Sequence, residues 1–451
     1  MNPPVDVRNI SNTVRHYGAT HREGDGLEGV GCLGSGFEGL GVLVPGLKII
    51  ALRLPPYWTK NDRLDRLCIV LHIVLERRCL GDEKDGFTPI SGRRLAEVVG
   101  RDFAGRALHL LSAPNVRVLE CDGRYTPSRK CRGFRIRDEI LALENSVRWI
   151  PPKLASKLSD SERRHSQVEV GDDPSHQVLW QNLRLLTLSS FPTDFLPPQS
   201  SDPSIQLKRH ARQLAVARIT GQRWHFATDR RTGRVFNNFT SLSKLLRPYA
   251  LLDGKPCAEI DIRNSQPFFL AELYPNQSAE ARRFIETVCD GQFYETVNEA
   301  SGSPFPSNAR EKLKKAVYSG ILFGKRYTES ILWSGFESRF PELSRIITDS
   351  KSKGHNLLAI DLQRREARLM IKTVVPRLSS CLPGIPFLTV HDSLAIDVRY
   401  ADQAAAIITE CAAELSGNVP TLRMTPPAPG IALPPRSSET RAEPSLSIPC
   451  S

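Results

Sequence analysis

Cys257-Ala258-Glu259-Ile260-Asp261-Ile262-Arg263-Asn264-Ser265-Gln266-Pro267-Phe268-Phe269-Leu270-Ala271-Glu272-Leu273 changes character halfway along. Its first six residues are β-prone and largely apolar, which predicts a strand. From Phe268 the apolar residues crowd as in a buried helix. Pro267 stands in the first turn of that helix, where its missing N–H costs nothing. Asp261 is thereby placed at a strand-to-helix junction. A lone aspartate there is ordinarily a helix cap or a turn residue.

A second aspartate shares that kind of setting. Pro386–Val390 and Leu394–Val398 read as strands, and His391-Asp392-Ser393 between them as the tip of a hairpin. Burying Asp392 there without a counter-charge would be costly. Two carboxylates delivered to strand ends, and brought together by the fold, suit a pair of Mg²⁺ ions and phosphoryl transfer. Asp261 and Asp392 are therefore the candidate catalytic and metal-binding residues.

Between them lies Arg310-Glu311-Lys312-Leu313-Lys314-Lys315-Ala316-Val317-Tyr318, followed by Ser319-Gly320-Ile321-Leu322-Phe323-Gly324. Steps of four put Arg310, Lys314 and Tyr318 on one helical face. Two cations on one face can grip a triphosphate, and an aromatic ring one turn on can pack against a base or sugar. Lys315 is the alternative to Lys314 in the neighbouring register. Taken alone, such a basic helix reads as a solvated surface.

These elements, in this order, resemble the DNA polymerase A superfamily, which includes bacterial DNA polymerase I and the single-subunit phage-type RNA polymerases. The likeness spans roughly residues 206–418. It implies an α+β fold, with a right-hand polymerase palm on an antiparallel sheet and helical fingers. It also implies two Mg²⁺ ions, nucleoside triphosphates and a DNA primer–template. In the family a Thr-Gly-Arg segment before the palm reaches the primer–template minor groove; Thr232-Gly233-Arg234 matches it. A glutamine on a helix before the last motif touches the template, which points to Gln363. His391 would contact the primer end or a neighbouring phosphate. Gln266 stands where the DNA enzymes carry a glutamate that excludes a 2′-hydroxyl. His-Asp-Ser is the form of the last motif in the phage-type RNA enzymes. Phe323-Gly324 follows the cationic helix with one residue more than the DNA enzymes have.

The chain has 451 residues, enough for more than one core. It carries a formal charge of +12, which suits an anionic partner. Lys208, Arg209, Arg212, Arg218, Arg223, Arg230, Arg231, Arg234, Lys244 and Arg247 supply much of that excess, against only Asp202 and Asp229 in the same stretch. A backbone-tracking surface is the reading they suggest. The cysteines show no zinc spacing and fit a reduced compartment. There is no apolar run of membrane-spanning length and no secretion signal, so a cytoplasmic protein without membrane contact is expected.

Residues 1–55 are Gly-rich and read as flexible. Residues 56–140 read as three helices and a basic hairpin, a pattern that resembles a small winged helix-turn-helix DNA-binding domain. Residues 141–205 read as a linker with one helix, 206–418 as the palm and fingers, and 419–451 as a disordered Pro/Ser-rich tail. The resulting expectation is a compact DNA-directed DNA polymerase without a proofreading exonuclease. A phage-type RNA polymerase or primase is one alternative. A non-catalytic DNA-binding replication or regulatory protein is another.

Overall fold

A computed structural model describes residues 40–429, apart from 61, 80–85, 124–130, 166–167, 192–195, 276–277, 303–309 and 326. β1 (Leu40–Pro45) runs antiparallel to β5 (Asn145–Ile150). Between them come α1 (Leu47–Arg53), α2 (Arg63–Cys79), β2 (Thr88–Pro89), α3 (Gly92–Val99), α4 (Arg101–Ser112), β3 (Leu119–Cys121), β4 (Gly133–Ile136) and α5 (Asp138–Leu141). α6 (Pro152–His165) follows β5. Strands β2, β4 and β3 form a small antiparallel sheet in that order. α3 starts under the Ser91 hydroxyl, which accepts from the Arg94 N–H at 3.3 Å. It stops at Gly100, whose φ of +92° turns the chain straight into α4. Val42, Val44, Leu67, Leu71, Leu95, Phe103 and Leu158 share one apolar core.

A second core begins with α7 (Pro174–Leu183), β6 (Leu186–Leu188) and α8 (Pro203–Thr220). α8 serves both cores, burying Leu214 in the first and Val216 and Ile219 in the second. The chain continues through β7 (Phe226–Thr228), β8 (Val235–Asn237), β9 (Ala250–Leu252) and β10 (Lys255–Ile262). A helical stretch follows: α9 (Ser265–Ala271), α10 (Ala279–Cys289), α11 (Phe293–Ala300), α12 (Arg310–Val317), α13 (Ile331–Arg339), α14 (Pro341–Lys353), α15 (Leu357–Ala367) and α16 (Val375–Cys381). The chain returns to strand in β11 (Phe387–Val390) and β12 (Ser393–Asp397), then makes α17 (Ala401–Ser416) and β13 (Leu422–Thr425). The main sheet has the order β11-β12-β10-β9-β6, and β13 also pairs with β10. All its pairings are antiparallel. The architecture is thus mixed helix and antiparallel sheet.

Five polar groups lock the two cores together. His72 and Glu76 of α2 and Glu162 of α6 meet Arg218 of α8 and Arg223 just beyond it. Arg223 lies 3.0 Å from Glu162 and 3.7 Å from Glu76, and Arg218 lies 3.2 Å from Glu76. Burial works to raise the Glu76 pKa, but the two guanidiniums outweigh it and hold the carboxyl at about 2.

Several expected boundaries move. Residues 40–53, expected to be flexible, form β1 and α1, because Val42, Leu43, Val44 and Ile50 are buried apolar anchors among the glycines. Residues 141–205, expected to be a linker with one helix, supply β5, α6 and β6 to the two cores besides the expected helix, α7. Residues 422–425, expected to be disordered, add a strand whose backbone pairs with residues 259–262. The expected flexible residues 1–39 and tail residues 430–451 lie outside the described residues, as do Arg129 and Lys130 of the expected basic hairpin. Of that hairpin's other cations, Arg135 and Arg137 both pair with Glu120.

The basic stretch 201–250 is also put to a different use. Arg218, Arg223, Arg234 and Arg247 turn inward to Glu76, Glu162, Glu366 and Glu259. Buried carboxylates require such partners, so these four cations are not a backbone-tracking surface. Lys208, Arg230, Arg231 and Lys244 stay exposed. Among the described residues no helix is long and apolar enough to cross a membrane.

Candidate active site

Strand β10 sorts its side chains by the alternation of the pleat. Ala258, Ile260 and Ile262 are buried in the core, while Glu259 and Asp261 share the opposite, half-buried face. Burial of each isoleucine contributes about 1.5–3 kcal/mol toward holding that register. The hairpin β11–β12 lies alongside, with Asp261 opposite Ser393. The Ile262 N–H donates to the Asp392 carbonyl at 3.2 Å. The fold therefore sets Asp261, near the end of β10, beside Asp392 at the tip of the neighbouring hairpin. His391, at the hairpin tip, has a φ of +56°, and Asn264, just after β10, a φ of +55°. Two non-glycine residues in the left-handed region, one on each aspartate-bearing segment, mark the kind of backbone found at functional sites.

The Asp261 carboxylate makes no hydrogen bond to a described residue. Burial, and then the charge of Asp392, push its pKa up to about 6. Lys244, Lys314 and Arg423 pull the other way. Asp392 accepts a hydrogen bond from the Ser265 hydroxyl. A like-charged pair with one carboxylate unpartnered is the donor set a divalent cation takes, so these residues fit Mg²⁺.

Glu259, on the same face as Asp261, is tied down. It accepts from the Ser393 hydroxyl at 2.8 Å and pairs with Arg247 at 2.9 Å. Behind the pair lies Glu366 of α15, 1% exposed. Arg234 donates to it through Nε at 2.7 Å, and Gln266 through Nε2 at 2.7 Å. Burial and then Asp392 push the Glu366 pKa up to about 7, against the pull of Arg234. The Gln266 carboxamide oxygen is buried with no hydrogen-bond partner among the described residues.

α12 buries Leu313 and Val317, four residues apart, and leaves Lys314 half-buried, near enough to Asp261 for its charge to lower that carboxyl's pKa. The Lys314 ammonium sits 5.6 Å from the Tyr318 ring centre. Lys315 is exposed. Of the two registers, the structure therefore brings Lys314 near Asp261. Arg310 is committed elsewhere: it donates to Glu295, to Asn264 Oδ1 at 3.1 Å and to the Gly291 carbonyl at 2.9 Å. Arg310 thereby braces α12 against α11 and the start of α9, with its side chain about one-third exposed. The Tyr318 hydroxyl lies 3.4 Å from that of Tyr294.

The chain beyond α12 widens into a π-helical turn, Tyr318–Leu322, where the Phe323 N–H donates to the Tyr318 carbonyl at 2.7 Å. A π turn takes up one residue more than an α turn. Gly324 closes the turn because a Cβ there would lie 1.7 Å from the Ser319 carbonyl oxygen. Lys351, 6% exposed, donates to the Ile321 carbonyl at 2.7 Å and the Gly324 carbonyl at 3.0 Å.

His391 packs edge-on against Phe236, ring centres 5.5 Å apart. Burial and the nearby Arg234 push its pKa down to about 4, so the imidazole is neutral at pH 7. Gln363 is half-buried on α15. One turn later on that helix, Glu366 is the residue that joins Gln266 and Arg234. Glu366, Arg423 and Lys244 are the site residues the sequence motifs missed. Glu366 carried a faint signal, a lone acid after Arg364 and Arg365 at helical spacing from Gln363. His72, Glu76 and Glu162 form a second group whose ligand atoms lie within 4.8 Å of one another. Arg218 and Arg223 already neutralise it.

Fold and site together define a mixed helix and antiparallel-sheet protein with one aspartate near a strand end, a second at a hairpin tip, and a lysine from a cationic helix acting on the first. No family model matches the chain, and no curated protein does. Solved structures similar to it include the POL domain of Pol1 from M. smegmatis in complex with DNA primer-template and dNTP. That likeness has 12% identity and a TM-score of 0.37, over 49% of this chain and 52% of that one. The chain thus spans about half the length of that domain. A score of this size does not establish a shared fold.

Proposed function

We propose that the chain is a template-directed nucleotidyltransferase that extends a DNA primer with nucleoside triphosphates. The observation that carries the reading is the placement of Asp261 and Asp392 beside each other, with the charge of Lys314 acting on Asp261. The sheet β11-β12-β10 would be the palm, and α12 with the turn after it the core of the fingers. Asp261 and Asp392 would hold two Mg²⁺ ions, which when bound supply Lewis-acid activation of a 3′-hydroxyl and neutralise phosphate charge.

The remaining roles belong to the chain's own side chains. Ser265 orients the Asp392 carboxylate through its hydrogen bond. Lys314 pairs with the triphosphate as a point charge. Arg310 holds α12 in place, and its exposed part would add a second cation for the triphosphate. Tyr318 offers its ring to the base or sugar. Arg234 neutralises Glu366 behind the aspartates, and His391 meets the primer end as a neutral ring. Gln363 lies on the helix that would follow the template. The unit built on α3 and α4, winged-helix-like in its order of helices and hairpin, would bring duplex DNA to the site. Arg101, Arg106 and His109 lie on the exposed face of α4.

The test is extension of a labelled primer on a template with dNTPs and Mg²⁺. Wild type should add nucleotides. Asp261→Asn and Asp392→Asn should each reduce incorporation to background while still binding the primer–template. A wild type that binds DNA but incorporates neither dNTPs nor rNTPs would leave only a non-catalytic DNA-binding protein.

Ribonucleotide incorporation is the second reading. Gln266 is uncharged, and its buried carboxamide oxygen lacks a donor that a 2′-hydroxyl could provide. Parallel extension with dNTPs and rNTPs separates the two; a strong rNTP preference overturns the first.

A further inference from the structure

We infer that Phe236 is an aromatic platform on which a nucleotide of the bound strand stacks beside His391. The inference rests on the proposed function for the identity of that strand. β8 has the pattern buried-exposed-buried, so Val235 and Asn237 anchor it and Phe236 points outward. The residue directly across the hairpin is Ala227, too small to cover the ring. Phe236 is 39% exposed. Its one ring partner among the described residues is His391, edge-on. Among the described residues Phe236 is the only exposed phenylalanine, and it stands against the residue that precedes Asp392.

The surroundings favour a nucleic-acid strand over an apolar partner. Arg230 and Arg231, in the loop of the same hairpin, are exposed, as is Arg364, whose Nε donates to the Arg231 carbonyl at 2.7 Å. The acids nearby are already engaged. Asp229 accepts from the Thr232 hydroxyl at 2.6 Å and from the Arg231 N–H at 3.0 Å. Glu366 is held by Arg234, and Asp361 by Arg365 at 3.2 Å. Glu169 lies 3.8 Å from Arg230. Aromatic face plus flanking guanidiniums is the chemistry that holds stacked bases along a phosphate backbone. The His391 Nδ1 is buried with no hydrogen-bond partner among the described residues.

The measurement is fluorescence anisotropy of a labelled primer–template, titrated without nucleotide, against wild type, Phe236→Ala, Phe236→Leu and Phe236→Trp. Phe236→Ala should weaken binding about ten-fold or more, as loss of one stacked base does. Phe236→Leu should weaken it similarly, because it keeps an apolar side chain but not the flat ring. Phe236→Trp should bind like wild type, and DNA should quench its fluorescence more than it quenches that of wild type. Circular dichroism melts should be alike for all four proteins. Equal affinity of wild type and Phe236→Ala, with wild type extending the primer, would overturn the platform and leave the proposed function standing. Stacking losses in a protein that never incorporates nucleotide would support the platform and sink the catalytic reading. A wild type that binds no primer–template would sink both.

Discussion

Asp261 is held in a state the fold does not favour. Its pKa rises from 3.8 to about 6 in the folded chain, through burial first and Asp392 second. A raised carboxyl stabilises the fold only while protonated, so that contribution is full below about pH 4 and gone above about pH 6. At pH 8 the ionised side chain costs on the order of 2 kcal/mol at a half-exposed position. Asp261→Asn should therefore raise the thermal midpoint at pH 8 and lose that advantage near pH 4, as calorimetry would record. Glu366 makes the opposite case. Removing it as Glu366→Ala would leave Arg234 and Gln266 facing a buried gap. A loss of about 3–5 kcal/mol in denaturant melts is expected. Both aspartates were legible in the sequence because strand patterning and short motifs carry local information. Glu366 was hidden because its partners lie 132 and 100 residues away.

At the scale of elements, the helix α12 and the π turn after it act as one piece. Two neighbours hold it: Arg310 at its start and Lys351 at its end. Burial pushes the Lys351 pKa down to about 8, yet its ammonium is what satisfies the Ile321 and Gly324 carbonyls. Lys351→Met should strand two acceptors and cost about 1–3 kcal/mol. It should also raise the KM for nucleotide while leaving primer–template affinity unchanged, which steady-state kinetics and anisotropy would separate. The cationic face of α12 was legible from its four-residue spacing. That Arg310 would pair with Glu295, and the charge of Lys314 act on Asp261, was not, because spacing fixes a face but not what it meets. β1 and β13 were missed for a related reason: glycines, prolines and serines around them masked short apolar runs that tertiary pairing makes into strands.

At the scale of the whole molecule, the cluster of His72, Glu76, Glu162, Arg218 and Arg223 decides how the two cores respond to stress. Arg223→Met would leave two buried carboxylates short of a counter-charge. A penalty of about 3–5 kcal/mol is expected. Denaturant melts should then separate into two transitions rather than one. The same bookkeeping of cations predicts how DNA affinity depends on salt. Each phosphate contact adds about 0.9 to the slope of log affinity against log salt. Arg231→Ala and Lys244→Ala should each flatten that slope by about one contact. Arg247→Ala, which breaks the pair with Glu259, should leave it unchanged and destabilise the fold instead. Net charge was readable from composition, but which arginines serve the interior depends on glutamates from distant elements.

The pairing of β13 with β10 also bears on how the protein is made. Arg423 lies opposite Asp261, so the aspartate-bearing strand stays an open edge until the chain has been synthesised past Thr425. A nascent chain that stalls earlier would present residues 259–262 as unpaired backbone, the template on which foreign strands add and aggregates begin. Truncation just before Val419 should accordingly show up as insoluble protein in cells, well before any assay of its chemistry.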